Sequence, residues 1–334
     1  MSNSQMTDPS SRTILLTGAT GFVGIHAAHE LTRSGYQVRC LVRKGSDRKR
    51  LPASVELVEG SLSDESALRQ GVAGCWGVMH IGGIVRARNY DEFLRVNRDG
   101  AALLVKTARN GGVERFLLCS SQAAGGPGTR ERRHTADDPS YPVTDYGRSK
   151  LAGEEALAKE AGSMWWGVVR PPAVYGPYDY AFFTFVEWVK WGFKLRLGDG
   201  KNLFALIHVE DLSRALRLAL EADTPSGRIW YATDGENHTL FDMGDAVEKA
   251  VGRKAIWIPI PMSAAPAIAR IIETIANARG EIALLSRQKI IELTQPAWTC
   301  DDEPLRRETG YQNQFDLVTG MAQTVKWYRE KGWL

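Results

Sequence analysis

TILLTGATGFVG, Thr13 to Gly24, decides the fold. Its first half, Thr13–Thr17, is an apolar run that reads as a buried strand. Gly18, Gly21 and Gly24 follow at three-residue spacing, and Val23, Ala27 and Leu31 then recur at helical spacing. A glycine turn between a strand and a helix has a specific physical use. Gly18 permits the tight turn, Gly21 lets the backbone approach a pyrophosphate, and Gly24 lets helix and strand pack closely. A pyrophosphate placed there sits on the positive helix N-terminus. Gly18, Thr20, Gly21, Phe22, Val23 and Gly24 are therefore the expected dinucleotide cradle.

Working outward, the same strand–helix alternation continues. QVRCLV (Gln37–Val42), VELVEG (Val55–Gly60), GVMHIGG (Gly77–Gly83), RFLLCSS (Arg115–Ser121) and WGVVRPP (Trp166–Pro172) read as strands. Helical patterns intervene, one of them opened by a Ser/Asp cap before SALRQGV. Such alternation implies parallel βαβ units and an α/β fold with a doubly wound sheet. Beyond residue 176 the pattern changes to aromatic helical stretches. The expected division is a dinucleotide-binding domain at 12–175, joined by a returning strand–helix element near 203–233, and an interleaved, mostly helical substrate region at 176–334. Tyr175, Tyr178, Phe182 and Phe183 are candidate pocket-lining residues, although most aromatics in this part belong to a core.

Composition narrows the function. The chain has 334 residues and a net charge of +3, which gives no reason to expect nucleic acid or an anionic membrane as partner. Cys40, Cys75, Cys119 and Cys300 form no C-x-x-C pair, and the six histidines show no metal spacing. No metal is expected, and the cysteine pattern fits a reducing cytoplasm. MSNSQMTDPSSR reads as a loose polar leader, and no apolar run reaches the length of a bilayer span. The longest apolar stretch, from Ile256, is broken by prolines and charges and leaves a peripheral membrane contact open.

Two further patterns carry chemistry. The second strand ends Leu41-Val42-Arg43-Lys44, without the carboxylate that meets an NAD ribose. Arg43 is suited to a 2′-phosphate, so NADP(H) is favoured over NAD(H). Tyr146 and Lys150 stand four apart at the start of the helical run LAGEEALAKEA, on one helix face.

Together these motifs resemble the extended short-chain dehydrogenase/reductase family: TGATGFVG, Ser120-Ser121, YGRSK at Tyr146–Lys150, HIGG at His80, VNRDG at Val96, RPPAVYGP at Arg170, IHVEDLSRAL at Ile207 and the C-terminal LRRETGY and YREKGWL. Within it, SSQAAGGPG and the apolar C-terminal part look closest to 3β-hydroxysteroid dehydrogenase-like and dihydroflavonol reductase-like branches. The resemblance implies that Tyr146 is the general acid/base, that Lys150 lowers its pKa and holds the nicotinamide ribose, and that Ser121 hydrogen-bonds the substrate oxygen, with Ser120 the alternative. It also implies cofactor contacts at Ser61, Leu62, His80, Ile81, Gly82, Pro171 and Val174. Ser61 stands where the family often has an acid for adenine. Gln122, Ala123 and Ala124 replace the acidic pair that dehydratases carry after the catalytic Ser/Thr. Asn97 is either a proton-relay residue or a helix-start residue, and His208 and Asp211 read as structural.

The expected activity is an NADP(H)-dependent interconversion of ketone and secondary alcohol on a fairly apolar small molecule, in a homodimer. The alternatives are an NAD-dependent nucleotide-sugar epimerase and a non-catalytic cofactor-sensing protein. Arg130, Arg132 and Arg133 are the only candidates for binding a sugar-nucleotide diphosphate.

Overall fold

The computed structural model describes residues 9–265, 267, 268, 270, 271, 274 and 287–334. Residues 1–8 of the polar leader and part of the apolar stretch from Ile256 thus lie outside the described residues. In chain order the elements are β1 (Thr13–Thr17), α1 (Phe22–Arg33), β2 (Gln37–Val42), β3 (Glu56–Glu59), α2 (Glu65–Val72), β4 (Gly77–His80) and α3 (Tyr90–Leu94). A π-helical turn at Arg95–Gly100 then leads into α4 (Ala101–Asn110), β5 (Arg115–Cys119), α5 (Gln122–Gly125), α6 (Asp145–Glu160) and β6 (Trp165–Arg170). There follow β7 (Ala173–Tyr175), α7 (Tyr180–Trp191), β8 (Phe193–Leu197), β9 (Leu203–Phe204), β10 (Leu206–His208), α8 (Val209–Glu221), β11 (Arg228–Tyr231), α9 (Leu240–Val251), β12 (Ile256–Ile260) and β13 (Ala297–Trp298). Helices at Arg287–Thr294, Glu303–Thr309 and Leu317–Glu330 complete the described chain.

One seven-stranded sheet, ordered β11-β6-β5-β4-β1-β2-β3 and parallel throughout, organises the molecule. The order reverses between β1 and β4, and both strands end at the glycine turn. Ligands bind at such a switch point in open α/β sheets. Alternate residues of β1 feed opposite faces. Ile14 and Leu16 pack with α1 and α8 residues, whereas Leu15 packs with α2 and α4 residues, and all are fully buried. That burial on both faces is why the strands read as unbroken apolar runs.

A separate core forms around Tyr175, Val186, Val189, Val247, Met321, Val325 and Tyr328. Phe182 and Phe183 pack against it, and Tyr175 is 1% exposed. Tyr175 packs tilted against Phe182, and Phe183 packs edge-on against Tyr328, which ties these aromatics to the second core. Tyr178 has φ 74, in the left-handed region, and is held by Trp327 and by the Arg50 guanidinium over its ring.

Candidate active site

The glycine turn is built as its spacing predicts. Gly18 has φ +73, and a Cβ there would lie 2.7 Å from the Gly82 amide nitrogen. A Cβ on Gly24 would lie 2.0 Å from the Gly18 carbonyl oxygen, so β1 and α1 approach as only glycine allows. The N-cap of α1, Gly21, is extended and supplies no side-chain cap. The first amides of the helix, Phe22 and Val23 included, therefore keep their affinity for an anion. Behind the turn, His80 Nδ1 shares a 2.6 Å hydrogen bond with Thr17 Oγ1, which also accepts from the Gly82 amide at 3.2 Å. Burial, with Lys150 nearby, pushes the His80 pKa down to about 3, so a neutral imidazole ties Ile81 and Gly82 to the turn. A cradle of uncapped amides closed by backbone alone fits a dinucleotide pyrophosphate.

Flanking residues extend this cradle. Arg43 stands exposed just beyond β2, while Arg48, in the same loop, pairs with Glu59 at the end of β3. Ser61 Oγ lies 2.9 Å from Ser63 Oγ, and Leu62 packs against Gly100. Val174 lies on β7, and the Pro171 carbonyl accepts from the Gln122 amide at 2.8 Å, which joins β6 to the segment carrying Ser121.

Tyr146 and Lys150 lie in the first turns of α6, capped by Thr144, whose hydroxyl accepts from the Gly147 amide at 3.2 Å. Ser121 follows β5 and caps α5, its hydroxyl accepting from the Ala123 amide at 3.2 Å, and it stands beside Tyr146, whose pKa it lowers. Ser120 points the other way, into a buried bond with Glu154. The geometry thus separates the two serines that the sequence left open. Lys150 is 7% exposed and donates to the Cys119 carbonyl at 2.9 Å.

The electrostatics differ from the expectation for the Tyr–Lys pair. Burial is the largest influence on Tyr146 and pushes its pKa up, opposed by the hydrogen bond from Ser121. Burial also pulls the Lys150 pKa down. One of the three ammonium donors goes to a backbone carbonyl, and burial favours the neutral phenol.

Three further features support the site. Asn97, in the π-helical turn, accepts from the Ile84 amide at 2.9 Å and donates to the Ile84 carbonyl at 3.0 Å and to Ser149 Oγ at 2.9 Å. It clamps the chain after Gly83 to α6, and π-helical turns recur at functional sites. Glu154 receives Ser120 and a two-pronged pair from Arg170 at 3.0 and 2.6 Å; Arg170 reaches on to Tyr231 at 3.2 Å. Glu154 stands four residues after Lys150 on the same face, a spacing that signalled it. The Gln288 amide group bonds the Asp145 carboxylate at 3.0 Å, which brings the Arg287–Thr294 helix over the start of α6; no local pattern announced that contact. His208 and Asp211 are structural: Asp211 accepts from the Gln314 and Phe315 amides at 2.9 and 3.1 Å. Among the described residues no group of His, Cys, Asp and Glu is arranged to hold a metal ion.

Known proteins agree with this architecture. The NAD dependent epimerase/dehydratase family matches residues 14–232. The ceramide reductase of Caulobacter vibrioides is 30% identical over 325 residues, covering 96% of each chain. A farnesyl-dihydroquinoline-oxide ketoreductase of Stigmatella aurantiaca is 27% identical over 92% of this chain and 93% of its own. Among solved structures, gox2253 superposes with a TM-score of 0.80 at 24% identity, covering 96% of this chain and 98% of that one. The NAD complex of UDP-glucose 4-epimerase from Thermus thermophilus gives 0.76 at 22%, covering 95% and 99%. Those two likenesses establish the fold. The chain belongs to the NAD dependent epimerase/dehydratase family, within the extended short-chain dehydrogenases/reductases.

Proposed function

We propose that this protein is an NADP(H)-dependent oxidoreductase that interconverts a ketone and a secondary alcohol on an apolar, lipid-like substrate. The coarser reading, a nicotinamide-dependent oxidoreductase, rests on the family and on relatives named as reductases. The observation that supports the finer one is the Tyr146–Ser121 pair: a half-buried phenol beside a serine hydroxyl, one helical turn from Lys150 and next to the dinucleotide cradle.

When bound, the nicotinamide supplies or accepts the hydride. Tyr146 Oη gives its proton to the carbonyl oxygen as negative charge develops there, and takes it back in the reverse direction. Ser121 Oγ hydrogen-bonds the same oxygen and steadies the tyrosinate that forms. Lys150, whose ammonium lies near Gly83, would hold the ribose hydroxyls. The amides of Phe22 and Val23 hold the pyrophosphate, and Arg43 takes the 2′-phosphate. Thr20, Ser61, Leu62, His80, Ile81, Gly82, Pro171 and Val174 complete the proposed contacts, His80 indirectly through Thr17.

A nucleotide-sugar epimerase is the second reading, favoured by the resemblance to UDP-glucose 4-epimerase. Against it, two of the three arginines available for a diphosphate are engaged: Arg132 pairs with Asp138 and Arg133 donates to the Gly235 carbonyl at 2.8 Å. The purified protein, mixed with NADPH and a panel of long-chain and steroid ketones, tests the proposal. Consumption of NADPH with formation of the alcohol is expected, and loss of that turnover in Tyr146→Phe.

A further inference from the structure

The two-stranded parallel ribbon of β8 and β12 has one face that, among the described residues, is covered only at its Leu197 end. The register pairs Phe193 with Ile256, Leu195 with Ile258 and Leu197 with Ile260, and paired residues in a parallel ribbon share a face. That face is therefore made of six apolar side chains. The opposite face is closed: Lys194 pairs with Glu248 of α9 at 2.5 Å and lies over the Trp257 ring. On the open face Ile256 is 70% exposed and Ile258 41%. Trp191, 60% exposed, stacks on Phe193 at one end, and Met262, 41% exposed, continues the patch at the other.

Outside the buried Lys194–Glu248 pair, the charges nearest this patch along the chain are basic, with Asp199 the first acid beyond β8. Lys190 to Gly198 carries Lys190, Lys194 and Arg196 and no acid. Gly252 to Ile271 carries Arg253, Lys254 and Arg270 and no acid. Glu248 answers Lys194 and Lys254, so two cations share one carboxylate there. Exposed isoleucines, a tryptophan at the edge and a basic rim are the composition of a surface that lies in a lipid headgroup layer. The patch is also continuous with the site. Leu197 packs against Ala265 and Ile290; Ile290 lies on the Arg287–Thr294 helix, whose Gln288 holds Asp145 beside Tyr146.

We infer that the β8–β12 face docks on the surface of an anionic lipid bilayer, with Ile256, Ile258 and Trp191 entering the headgroup–acyl boundary. An apolar substrate dissolved in the bilayer then meets the catalytic mouth without crossing water. Sedimentation of the full chain with vesicles tests this, without substrate or cofactor, so that its failure leaves the reductase reading untouched. One set of vesicles is pure phosphatidylcholine and the other contains phosphatidylglycerol as well. The wild type is expected to pellet with the anionic vesicles and to be partly released by salt. Ile256→Glu/Ile258→Glu is expected to lower the bound fraction constant by about tenfold or more. Trp191→Ser, an exposed single change, lowers it in the same direction and serves if the double variant misfolds. Failure of the wild type to bind either vesicle, or equal binding by the variants, overturns the inference. So does a wild-type dimer that the double variant splits, because a second copy is then the occupant.

Discussion

At Tyr146 the decisive balance is between burial and a single hydrogen bond. Burial raises the phenol pKa and Ser121 lowers it. A raised pKa keeps the proton-donating form present through neutral pH, and it is lost only as pH rises through the folded value. Ser121→Ala should therefore shift the alkaline limb of the reduction pH profile upward and lower kcat about tenfold to a hundredfold. Ser120→Ala should act on stability instead, because its partner is Glu154. A larger kcat loss in Ser120→Ala than in Ser121→Ala would reverse the assignment. Arg43 is the corresponding residue for the cofactor. Arg43→Asp should weaken NADPH binding by about tenfold to a hundredfold and leave NADH nearly unaffected, read by titration of the two cofactors. Equal loss for both would remove the 2′-phosphate contact from the account.

Among the elements, α6 carries most of the site. Its first turns present Tyr146 and Lys150, and its middle presents Glu154 to Arg170 on β6. Both members of that pair are at most 5% exposed on their side chains. Removing one partner leaves the other charge buried, which costs about 3–5 kcal/mol. Glu154→Ala should therefore lower the denaturant midpoint by that amount of stability, whereas loss below about 1 kcal/mol would mean the pair is compensated elsewhere. This is also where the limits of the sequence lie. The sheet, its glycine turn and the Tyr–Lys spacing are local patterns, and each was legible because periodicity and spacing encode it. The state of Lys150 was not, since its partner is the Cys119 backbone, which any residue supplies. Nor was the separation of Ser120 from Ser121, since adjacent residues at a strand end diverge only once the neighbouring helices are in place. Aromatic side chains in the region from Tyr175 to Phe183 gave no sign of core or pocket, because both environments select the same residues.

For the molecule as a whole, buried histidines set the response to acid. Burial pushes His80 and His208 each down to about 3, from 6.5. A depressed folded pKa contributes stability above the unfolded value, and that stability is lost as pH falls from about 6.5 toward 3. Urea midpoints measured across that range should fall with acid, and less steeply in His80→Gln; parallel slopes would show that His80 is not buried neutral. No described helix is long and apolar enough to cross a membrane. The homodimer, formed by the helices that follow Asn97 and carry Tyr146, remains a proposal for size-exclusion chromatography, as does a cytoplasmic location for cell fractionation. The most direct measurement of the central claim is a stoichiometric one. Reduced nicotinamide consumed and alcohol formed are counted together for wild type and Tyr146→Phe, with an apolar ketone as substrate. The account predicts equal amounts of both in the wild type, with NADPH as donor, and neither in Tyr146→Phe. Tightly retained NAD with no net consumption, and interconversion of UDP-sugars by the same sample, would contradict it.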